Sequence, residues 1–253
     1  MTDLVTVDLT DGVATVTLAS GPGNPLTLDT LQALRKQAIR LLDQPPELLV
    51  LRAEGPDFCA GLPTTGEALY DSFGKVVEQR DAFRAQEMIQ RLRQGIDGWS
   101  RLPCPVVAVL KGRCHGAGLA LALAADFRVA ADDTTLAVPE VQRGLISGMG
   151  VLARLTVMLG TARALPAVLT HQVWSASDAL ELGLVTRLAG ADDVDDAALV
   201  LVAELMGAPR HARQQALLAL RALDADLVQK ARDAETQAAA RSWIQGDWRS
   251  ELT

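Results

Sequence analysis

Cysteine is scarce. The 253 residues hold three, Cys59, Cys104 and Cys114, an odd number with no paired metal-ligand spacing. A disulfide framework is therefore not expected, nor a metal site, and the three read as reduced thiols of a cytoplasmic chain. Long apolar runs are missing as well: none reaches the roughly 18 residues that a membrane span needs. The start, Met1-Thr2-Asp3-Leu4, has no basic segment ahead of an apolar one, so no secretory leader is expected. Positive charge is in deficit, with 24 Lys and Arg against 31 Asp and Glu, a formal net charge of -7. No basic stripe runs along any stretch, which argues against a nucleic-acid partner.

What is present is an ordinary folded-chain composition, 49% apolar and 22% charged, long enough for one large domain or a domain with an appendage. Val5 to Thr10 and Val13 to Leu18 alternate about Asp11-Gly12, the pattern of a β-hairpin. After a Gly-Pro loop, Thr27 or Asp29 can cap a helix through about Asp43, with Leu31, Leu34, Ala38, Leu41 and Leu42 on one face. Leu48 to Ala53 reads as a buried strand, and Phe58-Cys59-Ala60-Gly61 as a corner of small residues where backbone can approach a ligand. Leu62 to Gly74 mixes Pro, Thr and Gly and is expected to be a mobile loop. From about Lys75 to Arg101, Val76, Phe83, Met88, Leu92, Ile96 and Trp99 suit an amphipathic helix with an interruption near Gly95.

The stretch from Val106 to Gly150 carries the chemistry. Val106 to Leu110 reads as a buried strand, Gly112 to Gly118 as a tight turn, and Leu119 to Ala125 as the helix that the turn feeds. A helix start leaves N–H groups unpaired with the positive end of the dipole behind them, a place that stabilises negative charge. Glu140 follows Pro139 among apolar neighbours, where partial burial raises a carboxyl pKa and makes a usable acid or base. An anion hole beside one tunable acid suggests enolate chemistry next to a carbonyl. Phe127 to Ala131 and Thr135 to Val138 are short strands, a helix follows Gly150 and stops at Gly160, and Ser175 starts another that leads to a last strand. Gly190 to Asp196 reads as an acidic linker, and Ala197 to Trp248 as a helical appendage broken near Pro209.

In this order the motifs resemble the crotonase (enoyl-CoA hydratase/isomerase) superfamily along almost the whole chain. The resemblance rests on Phe58-Cys59-Ala60-Gly61, Cys104-Pro105-Val106, the Gly-rich turn ending in Ala124-Ala125-Asp126, Pro139-Glu140, and Ser175 through Val185. It implies an α/β fold, a spiral of β-β-α units over residues 1–190 with a C-terminal α-helical oligomerisation region over 191–253, and a homotrimer or a dimer of trimers. It also implies catalytic roles for Glu140 and for the backbone amides of Ala60 and Ala117, with Gly61, Gly116 and Gly148 against the substrate; Ser147, where many relatives carry proline, is a further candidate to touch the substrate or hold a water, against a plain loop cap. The substrate implied is an acyl thioester carried on coenzyme A or phosphopantetheine, with no further cofactor.

Two departures from the family pattern narrow the chemistry. The first of the two glutamates that hydratases of the family use to hold water falls on Ala120, leaving Glu140 as the single carboxylate. One base that returns the proton it takes is enough for isomerase or lyase chemistry. The positions at which the family commonly places Lys or Arg for nucleotide phosphates read Gly21-Pro22-Gly23-Asn24 and Gly55-Pro56-Asp57, with Arg52 and Arg113 as substitutes. An acyl carrier protein thus stays open as partner, as in polyketide-tailoring dehydratases and decarboxylases, and so does an ordinary hydratase. From another class, a catalytically silent scaffold remains the rival. His115 reads as a packed or hydrogen-bonded residue, Cys59 and Cys114 as small core residues, and Asp126 as a structural carboxylate.

Overall fold

The computed structural model describes residues 3–63, 74, 76, 78–246 and 248. The expected mobile loop over 62–74 lies outside the described residues except at its ends. Strands β1 (Val5–Thr10) and β2 (Val13–Leu18) form the antiparallel hairpin about Asp11-Gly12. Helix α1 (Leu28–Asp43) begins at Thr27, whose hydroxyl accepts from the Thr30 N–H at 3.0 Å. The chain then returns as β3 (Leu48–Ala53), parallel to β2. Strands β4 (Val106–Leu110), β6 (Phe127–Ala131) and β9 (Arg187–Ala189) extend this sheet to the order β1-β2-β3-β4-β6-β9. A smaller sheet, in the order β5-β7-β8, is built from β5 (Arg113–His115), β7 (Thr135–Ala137) and β8 (Val173–Ser175).

The two sheets are laid down together. Strand β4 passes through Lys111-Gly112 into β5, and β6 passes through Asp132-Asp133 into β7, so each turn of the chain adds one strand to each sheet. The turn before does the same in miniature: after β3, Cys59 bridges in parallel to Cys114. Equivalent stages of successive turns therefore stack on one another, which is what a spiral of β-β-α units requires. It is also why corners far apart in sequence become neighbours.

Seven further helices are described: α2 (Ala82–Asp97), α3 (Ala117–Ala122), α4 (Val151–Leu159), α5 (Thr161–Leu169), α6 (Ala176–Glu181), α7 (Val194–Met206) and α8 (Arg210–Gln245). Ser175 and Asp178 close α6 with a reciprocal capping box. The interruption expected near Gly95 does not occur. Helix α2 runs through it, because a Cβ there would stand 2.6 Å from the Leu31 carbonyl oxygen and the absent side chain lets α1 and α2 approach. Phe83, placed on the apolar face by its spacing, is exposed. Residues 113–115, read as part of a turn, are the short strand β5.

The acidic stretch 190–196 is linker only as far as Asp193. Asp195 and Asp196 sit in the first turn of α7, where the helix dipole favours them. Helix α7 lays Val194, Ala198, Leu201 and Val202 against Leu48, Val50, Val107, Val109, Val129 and Ala131 of the large sheet. The opposite face of that sheet, with Leu49, Leu51, Val106 and Ala108, belongs to the main core. Burial on both faces explains why β3 and β4 are continuous apolar runs and not alternating ones.

Candidate active site

The first corner is held by Asn24, whose side-chain amide donates to the carbonyls of Glu54 at 2.8 Å and Asp57 at 2.9 Å. That anchors the loop before α1 against residues 54–57 and brings Gly23 alongside Ala60. The Ala60 N–H donates to Gly23 O at 2.8 Å. Ala60, expected to offer its amide to a ligand, has therefore already committed it. The Gly61 N–H faces Cys59 Sγ at 3.4 Å, and the Leu62 N–H has no hydrogen-bond partner among the described residues. The open amide of this corner is thus that of Leu62, two positions beyond the expected one.

The second corner packs directly on the first. Cys59 N–H donates to Arg113 O at 2.9 Å and His115 N–H to Cys59 O at 3.0 Å. A Cβ on Gly61, which has φ +101°, would lie 3.0 Å from His115 O and 3.6 Å from Ala117 N. Ala117 is the first residue of α3, and its N–H is unpaired among the described residues, as the geometry of a helix start dictates. Ala120 is fully buried in α3, with its N–H on Gly116 O.

Glu140 arrives from the next turn of the spiral. Strand β7 pairs His115 with Ala137, and Gly116 N–H donates to Ala137 O at 2.9 Å. Two residues later the chain bends at Pro139 into a single 3-10 turn, Glu140–Arg143, closed by left-handed Gly144. The carboxylate comes to rest on Gly116: a Cβ there would be 2.5 Å from Glu140 Oε1, and φ of +53° disfavours any other residue. Oε2 is buried with no hydrogen-bond partner, and so is Ser147 Oγ nearby. Burial raises the Glu140 pKa to about 7, opposed in part by its own backbone N–H and by the Ser147 hydroxyl.

The remaining titratable groups are quieter. His115 Nε2 shares a hydrogen bond with Thr135 Oγ1 at 3.0 Å, and burial, then Arg113, hold its pKa below the usual value. Burial pushes the thiols of Cys59 and Cys104 to about 12 and that of Cys114 well up. Such thiols are not nucleophiles at neutral pH. Asp126 accepts from Val106 N–H at 2.8 Å and grips Arg221 of α8 through both oxygens, at 2.8 and 2.6 Å, a structural role. Among the described residues no three His, Cys, Asp or Glu side chains gather as a ligand set for a metal. Arg113 lies beside Gly23 but is bound through Nε and Nη2 to Asp57, while Arg52 pairs with Asp195 at 3.5 Å.

A profile of the family described as enoyl-CoA hydratase/isomerase matches residues 8–248. A protein named probable enoyl-CoA hydratase echA17, of Mycobacterium avium (strain 104), is 40% identical over 120 residues, 47% of each chain. That match spans about half the length of the relative. The peroxisomal Delta(3,5)-Delta(2,4)-dienoyl-CoA isomerase of Arabidopsis thaliana is 30% identical over 190 residues, 73% of this chain and 67% of that one. Among solved structures, an enoyl-CoA hydratase/isomerase from Mycobacterium paratuberculosis superposes with a TM-score of 0.85 at 26% identity, over 100% of this chain and 98% of the other.

Proposed function

The chain belongs to the enoyl-CoA hydratase/isomerase family, and from that footing we propose that it converts an acyl thioester to its enolate and moves a proton on it, as an enoyl isomerase or a related lyase. The observation that carries this reading is the placement of one half-buried carboxyl, Glu140, with its Oε2 buried and unpartnered, against the residue before a helix-start amide that is unpaired among the described residues. Ala120 stands where the resemblance puts a second carboxylate, and a methyl group cannot carry a proton.

In the proposed step the thioester oxygen sits between the Ala117 and Leu62 amides. Glu140 removes a proton from the carbon next to the thioester of a 3-enoyl chain, and the electron pair moves onto that oxygen. The dienolate so formed takes the same proton back at its far carbon, giving the conjugated 2-enoyl thioester with no net gain or loss. Amides fixed before the charge develops lower the barrier without reorganising, each contributing about 3–4 kcal/mol in well-studied oxyanion holes. A pKa near 7 suits a group that must both take and return a proton at neutral pH. The acyl chain is carried on coenzyme A or on phosphopantetheine. The pairing of Arg52 and Arg113 with carboxylates favours keeping a carrier-protein thioester among the candidates.

Hydration is the second reading, and one observation favours it. Ser147 Oγ and Glu140 Oε2 are both buried and unpartnered, the setting in which a water can be held between two acceptors. Incubating 2-enoyl, 3-enoyl and malonyl-type thioesters in heavy water separates the cases. The isomerase reading predicts 2-enoyl product from the 3-enoyl substrate with the shifted hydrogen carried over and not replaced by deuterium, and a loss of about 10²–10⁴ in kcat for Glu140→Gln. Hydration of the 2-enoyl substrate at a comparable rate would overturn it in favour of the hydratase. No turnover of any of them, by wild type or variant, would mark a scaffold.

A further inference from the structure

The strap that joins the Glu140 turn to α4, residues 145–150, is held from behind by α8 at successive points. Ile146 N–H donates to Ser242 Oγ at 3.0 Å. A Cβ on Gly148 would meet Ala239 Cβ at 3.0 Å and Ile89 Cγ2 at 2.9 Å. Gly150 N–H donates to Glu235 Oε1 at 2.9 Å, and Ala153 N–H to Glu235 Oε2 at 3.0 Å. On α8 the positions 235, 239 and 242 follow at intervals of four and three, one face of a helix. On the strap the points of attachment are alternate residues, 146, 148 and 150. Ser147 falls between them, its hydroxyl near enough to lower the Glu140 pKa without completing a hydrogen bond.

The geometry points to Glu235 as a positioning residue, which, with Ser242, fixes the strap so that the Ser147 hydroxyl and a closed wall are presented to Glu140. This inference rests on Glu140 being the proton carrier of the proposed function. Both oxygens of Glu235 accept N–H groups, which favours the charged form, against burial, which raises its pKa. Its surroundings on α2, α4 and α8 hold Arg93, Asp97, Arg154 and Arg232, with Arg93 and Arg154 bound to Asp97 at 3.0 and 3.2 Å and Arg232 at 3.2 Å. Glu140 in turn feels Glu235, which raises its pKa, and Arg143, which lowers it. Cutting the clamp loosens the strap and admits water to Glu140. Removing the Glu235 charge relieves a like-charge neighbour. Withdrawal of the Ser147 hydroxyl, which lowers the pKa, opposes them, but burial is the largest of the causes, so the net movement is toward an ordinary carboxyl.

The test uses Glu235→Gln, which keeps the volume but turns a donor toward one of the two N–H groups. It also uses Ser242→Ala, which removes one acceptor away from the arginines, and Ser242→Thr, which retains the hydroxyl. The titration of Glu140 is read without substrate from its infrared carboxyl stretch against pH, with Glu140→Gln as the blank. The expected midpoint is about 7 in the wild type and is displaced to lower pH in Glu235→Gln and Ser242→Ala, with Ser242→Thr close to wild type. With 3-hexenoyl-CoA as probe, kcat should fall roughly tenfold in the two disrupting variants while KM changes about twofold or less, the signature of an interaction made in the transition state. A purely structural clamp would lower the melting temperature yet leave the Glu140 titration and kcat where they were, and that result overturns the proposal. Should Glu235→Gln fail to fold, Ser242→Ala alone decides. Because the titration needs no substrate, a protein that turns over none of the thioesters defeats the proposed reaction, while the midpoints still decide whether the strap sets the Glu140 pKa.

Discussion

A carboxyl group carries protons in both directions only if its charged and neutral forms are close in free energy at working pH, and at Glu140 exclusion of water brings them together. Its pKa is raised from 4.5 to about 7. Acting as base, it must start ionised, so kcat/KM should rise with pH through a midpoint near 7, and Glu140→Gln should abolish that limb. The same shift affects stability. Between the unfolded value of 4.5 and the folded value of about 7 the folded chain keeps a proton that the unfolded chain has released. Stability therefore falls as pH rises through that window and stays lower above it. Glu140→Gln removes the effect. The variant should match the wild type near pH 4 and exceed it by roughly 2–3 kcal/mol at pH 8, taking about 1.4 kcal/mol per pKa unit as an upper bound. Urea titrations at the two pH values measure this, and equal stability gaps at both would contradict the buried-acid account.

At the scale of elements, the site is a product of stacking. The Cys59 bridge, β5 and β7 are the same stage of three successive turns, so residues 59–62, 115–117 and 140 meet without any local sequence signal linking them. The close approach of α1 and α2 is a second consequence of packing, and it has a test of sign. In an exposed helix, Gly→Ala stabilises by about 1 kcal/mol. Gly95→Ala should instead destabilise by roughly 1–3 kcal/mol, because its Cβ would stand 2.6 Å from the Leu31 carbonyl oxygen. A stabilised variant would show that the two helices are free to part. What was legible in the sequence had local causes: the hairpin from alternation about Asp11-Gly12, α6 from its Ser-Asp box, Glu140 from its proline and apolar setting. What was not legible depended on partners distant in the chain. The open amide belongs to Leu62 and not Ala60 because Gly23, brought in by Asn24, claims the latter. An alanine-rich segment such as α7 reads alike whether its apolar face meets a sheet or another subunit. Glu235, one of four acids in α8, reads as a solvated one.

Over the whole molecule the C-terminal helix has two characters. Its last turns bury Glu235, Thr236, Ala239, Ala240 and Trp243 against the chain's own core and strap. Its first half is tethered by Arg213 to Glu47 and Arg221 to Asp126, yet leaves Leu218, Leu220, Leu223 and Leu227 in solvent. A stripe of this kind fits the homotrimer that the resemblance implies, since large apolar residues held out on a helix suit burial against another copy. Light scattering after gel filtration should give a trimer mass for the wild type and a smaller species for Leu220→Lys combined with Leu223→Lys, with helix content by circular dichroism unchanged. An unaltered mass would place the interface elsewhere. The centre of the account, however, is the convergence of two main-chain amides on one oxygen with a single acid beside the neighbouring carbon. A crystal structure of the Glu140→Gln variant with an acyl-coenzyme A bound measures it directly. The account predicts the thioester oxygen about 2.7–3.1 Å from both the Leu62 and Ala117 nitrogens, with the side chain at position 140 facing the adjacent carbons. A thioester oxygen bound away from either amide would contradict it.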